Sequence, residues 1–187
     1  MILFLIVFCL LVAIGFGLAS AISDFKSMTI PNLYALCVVL AFVPAYLADA
    51  MTGNGLEFFA SWKNHVAAAV AMFALTFLMF IAKVIGAGDS KLCAAFALWV
   101  GLTGLAPYLF YMAVLGAVLG AATKIMGRKA FFVSPKEGSW IARSQAGEAG
   151  VPYGIAICFG AVIAFYLLGY FSPEKLALLT GYTENNS

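Results

Sequence analysis

Long apolar runs alternate with short polar breaks along the whole chain. The first run extends from Ile2 to Ile22 with hardly an interruption, and others cover 33–48, 66–85, 92–105, 107–125 and 153–171. A helix crossing the hydrocarbon core of a bilayer needs about 20 mainly apolar residues. The pattern therefore predicts an all-α, polytopic membrane protein of about six transmembrane helices, forming one integral membrane domain over 1–187. Gly101, Gly104 and Pro107 mark a turn between the short fourth and fifth runs. Read as one run, these two would leave five spans. The one sizeable polar stretch lies at about 126–152.

Composition points the same way. Of 187 residues, 65% are hydrophobic and 10% are charged, whereas a soluble domain carries roughly 25% charged residues. The net charge of +2 is too small for a nucleic-acid partner. Cys9, Cys37, Cys93 and Cys158 each stand alone in an apolar run, so neither a zinc site nor a redox pair is suggested, and they read as small packing residues. Leu18-Ala19-Ser20-Ala21 has the look of a signal-peptide cleavage site. No Lys or Arg precedes the run, however, and it is long for a signal sequence, so 2–22 is read as a retained helix.

Basic residues set the orientation. The first connection holds Lys26, the third is bounded by Lys83 and Lys91, and the fifth carries Lys124, Arg128, Lys129, Lys136 and Arg143. The opposite connections hold Lys63 and Lys175. Connections rich in Lys and Arg stay in the cytoplasm, which places both termini outside and the basic loop inside, in the cytoplasmic (inner) membrane. The basic loop also holds Phe131, Phe132 and Trp140, a mixture suited to an anionic leaflet surface or to guiding a substrate's apolar segment. The outer segment Glu57–Trp62 reads as an interfacial anchor.

Two aspartates sit where such a protein should resist them. Asp24 follows the first run and Asp89 precedes the fourth, both at the cytoplasmic edge, while Asp49 ends the second run on the opposite side. Ionisable residues at membrane spans are functional candidates. Alone, Asp89 reads equally as a helix cap and Asp24 as a hydrated interfacial residue. Their neighbours matter more. Asp89 closes Gly86-Ala87-Gly88-Asp89, and glycines beside a carboxylate let another backbone approach closely. Pro31 suits the first turn of the second helix. Two carboxyls can hydrolyse a peptide, one activating water and the other, protonated, polarising the carbonyl and then protonating the amine. At about 3 Å they share a proton. His65 is the one histidine and lies on the outer side, which reads as interfacial solvation and leaves zinc, Ser–His and Cys–His chemistries badly served. No metal or cofactor is expected.

These segments resemble the type IV prepilin peptidases, membrane aspartyl proteases of the GxGD type. That family pairs an aspartate in a D-x6-P context with a second in G-x-G-D. Here the matches are Asp24 through Pro31 and Gly86 through Asp89, with Lys91 extending the second to G-x-G-D-x-K. Pro152-Tyr153-Gly154 is similar to a Pro-aromatic-Gly element before the family's last helix. The resemblance implies Asp24 and Asp89 as catalytic residues, supported by Pro31, Gly86, Gly88, Lys91, Pro152 and Gly154. It implies prepilin-like membrane substrates cut just after a glycine, at the cytoplasmic face. A dyad there reaches only bonds near that edge, and a glycine weakens the substrate helix by about 1 kcal/mol. Larger members carry an extra N-terminal region with paired cysteines and also methylate the new N-terminus. Lacking both features, this chain is similar to the short, peptidase-only CpaA/TadV-like branch of Flp-pilus (Tad) systems, with no methyltransferase activity expected. Archaeal preflagellin peptidases share the two-aspartate chemistry. The rival class is a non-enzymatic transporter or assembly component, although a transporter more often places its carboxylates near the midplane.

Overall fold

The computed structural model describes residues 2–51, 58–129 and 132–178, so Glu57 and Phe131 lie outside the described residues. Seven helices are described: α1 (Ile2–Ser27), α2 (Asn32–Ala50), α3 (Trp62–Ile81), α4 (Ala87–Met126), α5 (Trp140–Gln145), α6 (Tyr153–Leu167) and α7 (Pro173–Leu178), with no strand among the described residues. By length and composition α1 to α4 can each cross a membrane, and α6 is a shorter apolar helix. The packing suits a lipid solvent. Large side chains such as Phe8, Leu11, Val70, Leu78 and Phe110 face outward. Small ones such as Ala13, Ala45, Ala68, Ala97 and Ala161 fill the helix contacts, where in a bilayer close backbone approach drives association.

α4 is a hairpin rather than a rod. A straight helix would separate residues fifteen apart by about 22 Å. Instead Tyr108 Oη lies 3.5 Å from Cys93 O, and Cys93 Sγ lies 3.7 Å from Met112 Sδ. The chain reverses at Gly101, whose φ of 64° and ψ of −178° belong to a region open essentially to glycine alone. The two arms, 87–100 and 102–126, run antiparallel. Of the three residues expected to mark this turn, Gly101 makes it, and Pro107 lies inside the second arm.

Breaking a helix in an apolar interior strands its backbone groups, and unpaired groups there are costly. At Gly101 the helical bond from Leu102 N–H to Leu98 C=O is opened, and consecutive residues at the start of α3 take its two halves. Asn64 Oδ1 accepts from Leu102 N at 2.8 Å. His65 Nε2 accepts from Ala60 N at 3.2 Å, which leaves Nδ1 to donate to Leu98 O at 2.7 Å. His65 is 1% exposed. The expectation of a hydrated interfacial histidine is thus corrected: this imidazole is a structural clasp.

The same end of the bundle is closed by aromatic rings. Phe58 stacks on Tyr170 with centroids 4.7 Å apart, and Phe42 meets Trp99 edge-on at 5.5 Å. Asp49 is fully buried beneath them and accepts from Phe58 N at 3.0 and 3.1 Å and from Phe59 N at 2.8 Å. Phe58 and Phe59 are therefore core residues. Within the described part of the expected outer anchor, Ser61 and Trp62 stand exposed, with Lys63 Nζ 5.9 Å from the Trp62 ring centre.

A Cβ at residue 101 would fall on Asn64 Oδ1. Gly101→Ala should therefore destabilise the fold by about 1–3 kcal/mol for the backbone strain alone. Asn64→Ala, which orphans Leu102 N–H, should cost about 1–3 kcal/mol. Thermal unfolding in detergent measures both, and unchanged melting of either variant would refute this account of the turn.

Candidate active site

At the opposite end three helices bring two carboxyls to one cavity. Asp24 lies in the last turn of α1, beyond the apolar stretch 2–22, and is 5% exposed. The α1–α2 connection is fixed by hydroxyls: Ser23 Oγ donates to Thr29 O at 2.8 Å, and Ser27 Oγ donates to Ser23 O at 2.8 Å. Pro31 stands at the N-cap of α2.

Gly154 makes the closest approach to Asp24. It is the second residue of α6, after the N-cap Pro152, and its N–H donates to Asp24 Oδ2 at 2.8 Å. The first amides of a helix lack internal partners and carry the positive end of its dipole, which suits a carboxylate. A Cβ at residue 154 would lie 3.1 Å from Asp24 Cβ and 3.2 Å from Asp24 Oδ2, so only glycine lets α6 come this near. A Cβ at Gly88 would lie 3.0 Å from Ile30 Cβ and 3.1 Å from Ile30 O. Its absence seats the start of α4 against the connection that follows Asp24.

Asp89 occupies the first turn of α4 and turns back to cap it, Oδ2 accepting from Gly86 N at 2.8 Å. The bland reading as a helix cap is partly right, one register along. Its other oxygen, Oδ1, is buried and makes no hydrogen bond within the described residues. One oxygen is held by backbone while the other has no donor among the described residues.

Both aspartates line a cavity of about 460 Å³, together with Met28, Lys83, Arg143 and Tyr153. Their protonation follows from this setting. Burial pushes the Asp24 carboxyl up to about 6, against the opposing pull of the Gly154 amide. Burial pushes Asp89 up to about 7, and the charge of Asp24 raises it further against the Gly86 amide. Both carboxyls therefore hold their protons to higher pH than an ordinary carboxylate.

The remaining motif residues divide. Gly86, Gly88, Pro152 and Gly154 shape the approach to the carboxyls. Lys91 does not line the cavity; its Nζ donates to Asn32 Oδ1 at 2.8 Å, tying the start of α4 to the start of α2. Lys83 and Arg143, which the charge bias counts as topology-setting, both line the cavity. Trp140 is not a surface anchor. It is buried, donates from Nε1 to Thr123 Oγ1 at 2.9 Å and packs edge-on against Phe25. The four cysteines are free thiols on α1, α2, α4 and α6.

The sequence model of the type IV leader peptidase family matches residues 3–121, well over half of the chain. The chain belongs to that family. A prepilin leader peptidase/N-methyltransferase from Bacillus subtilis (strain 168) is 31% identical over 153 residues, covering 80% of this chain and 51% of the relative. The chain thus spans about half the length of the curated relative it matches. No solved structure matches it significantly. The matched region contains Asp24, Gly86, Gly88 and Asp89, while Pro152 and Gly154 lie beyond it.

Gly154→Ala tests the seat of Asp24. The added methyl must push α6 away, at a cost of about 1–3 kcal/mol, and lengthen the amide bond that holds the ionised form. The Asp24 carboxyl should then titrate higher still, which infrared absorption of the protonated carboxyl measures directly. Titration and melting both unchanged would rule out this role for Gly154.

Proposed function

We propose that this leader peptidase is a membrane-embedded aspartic endopeptidase that removes the short cytoplasmic leader of prepilin-like proteins, with Asp24 and Asp89 as its catalytic pair. The observation that carries the reading is the meeting of two carboxyls from different helices, the buried Asp24 and the half-buried Asp89, in one cavity, each steadied by a glycine amide. Family membership supports prepilin leaders as the substrate class.

The chemistry balances without any other group. The ionised carboxyl takes a proton from water while the protonated one hydrogen-bonds the scissile carbonyl. The new C–O bond gives a tetrahedral diol. Its collapse breaks the C–N bond as the leaving amine receives a proton, yielding a carboxylic acid on the leader and a free amine on the mature helix. The proton is shared, so neither aspartate is fixed as acid or base.

Finer features complete the reading. The bias of Lys and Arg supports a cytoplasmic site in the inner membrane, with both termini outside and six crossings once the two arms of α4 are taken separately. A glycine before the cut fits a site that must receive extended backbone, since a helical carbonyl is masked by its own hydrogen bond. Flp-type prepilins are the substrates we favour. The cavity is furnished for hydrolysis, and we read the chain as a peptidase without methyltransferase activity.

Asp24→Asn and Asp89→Asn should each lower cleavage of a co-expressed prepilin by at least about 10²- to 10⁴-fold with insertion unaffected. Mass spectrometry should find the wild-type product beginning just after the glycine. Substantial activity in either folded variant would end the assignment.

The wild-type rate should also be bell-shaped in pH. It falls as the pH drops below about 6, where the base is protonated, and as the pH rises above about 7, where the acid is lost. An optimum near 4, where ordinary carboxyls titrate, would contradict the burial argument.

A further inference from the structure

Three consecutive residues at the start of α4 are each held by a different partner. Asp89 is held by Gly86, within its own turn. Ser90 Oγ lies 2.9 Å from Thr76 Oγ1 on α3, and both side chains are buried. Lys91 Nζ reaches Asn32 Oδ1 at the start of α2. Successive helical residues project about 100° apart, so the three side chains turn to the cavity, to α3 and to α2. Thr76 has one hydroxyl proton, and it goes to Met72 O at 2.7 Å in its own helix. Ser90 is therefore the donor and Thr76 the acceptor. In a bilayer such a bond adds only modestly to stability, because separated helices find other partners for the same hydroxyls. What it adds is direction.

The two carboxyls are anchored unequally. Asp24 takes its amide from another helix, since Gly154 stands at the start of α6. Asp89 takes its amide from the turn that carries it, so that bond follows the helix wherever it rotates. Turning the start of α4 by about 20° would sweep a side chain at its surface through about 2 Å. Misplacing a reacting group by about 1 Å can cost about 10²-fold in rate. The contact of Gly88 with Ile30 sets how near α4 comes to the α1–α2 connection, but a glycine offers no side chain to resist rotation. The two residues after Asp89 do.

We propose that Ser90 and Thr76 are positioning residues: their hydroxyl pair, braced by Lys91 and Asn32 on another side of the helix, fixes the rotation of the first arm of α4 and so aims Asp89 at Asp24. The proposal rests on the peptidase reading above and adds to it the residues that hold its geometry.

Ser90→Ala is a clean test because it orphans no donor: Thr76 keeps its bond to Met72 O. The full chain is reconstituted in phosphatidylcholine vesicles with a prepilin-like substrate. Ser90→Ala should lower kcat about tenfold and leave KM within about twofold, since the aim of a carboxyl matters in the transition state and little in binding. Melting in detergent should fall by no more than about 4 °C. Thr76→Val should lose the same factor in kcat, and the double variant no more than either, because all three break one interaction. Thr76→Ser keeps the hydroxyl and should keep kcat. As Asp89 swings away from Asp24, whose charge raises it, the upper limb of the pH–rate profile should move to lower pH. Lys83, Arg143 and Tyr153 share the cavity and are untouched by the change. Wild-type kcat in Ser90→Ala, a loss confined to KM, independent losses from the two hydroxyls, or a loss that Thr76→Ser shares in full would each overturn the proposal. If Ser90→Ala fails to insert, Thr76→Val carries the same expectations. A wild type that binds the substrate and never cuts it counts against the peptidase reading alone. Infrared absorption of the protonated carboxyls then reads the hydroxyl pair by itself: Asp89 titrating lower in Ser90→Ala than in wild type supports it, and identical titration overturns it.

Discussion

A carboxylate moved out of water must recover the hydrogen bonds it gives up, and inside an apolar bundle the available donors are backbone amides. Three aspartates in this chain meet that demand in three ways. Asp49 has both oxygens engaged by Phe58 and Phe59, so it serves as a closed structural joint. Asp24 holds Gly154 N–H at the start of α6. Asp89 holds Gly86 N–H with one oxygen and leaves the other buried and unengaged. The three differ in how completely the amides satisfy them.

The two ends of the bundle follow from this contrast. At one end Leu102 N, Leu98 O and Trp99 O, beside the reversal at Gly101, find partners in Asn64, His65 and Tyr170, whose hydroxyl donates to Trp99 O at 2.9 Å. Aromatic rings seal what remains, and rigidity results. At the other end α1, α4 and α6 converge through glycines that allow near contact of backbones, and a cavity stays open between them. The closed end fixes where the first arm of α4 stands, and so holds Asp89 in place from a full helix length away.

That arrangement also tunes the chemistry. Burial favours the neutral form of each carboxyl, while single amide bonds and helix starts favour the ionised form. Burial prevails, and both carboxyls titrate above the ordinary carboxylate range. More amides would have made Asp89 another Asp49, and fewer would have left a buried group with no reason to ionise.

Much of this was legible in the residues alone. Apolar runs of membrane length dictate helices, because no other open segment satisfies its backbone in lipid. The bare presence of Asp24, Asp89 and their glycines at the ends of such runs marked the site, since charge at the edge of a span is rarely idle. Tertiary contacts decided the rest. The turn at Gly101 could not be told from Gly104 or Pro107, because only Asn64 and His65, remote in sequence, select it. His65 and Trp140 read as surface residues since burial depends on partners that lie on other helices. Lys83 read as topological charge, because sequence does not reveal that the end of α3 comes to line the cavity of Asp24 and Asp89. Local pattern determines which segments become helices; which polar groups meet is settled only when distant helices pack and each buried donor and acceptor must find a partner.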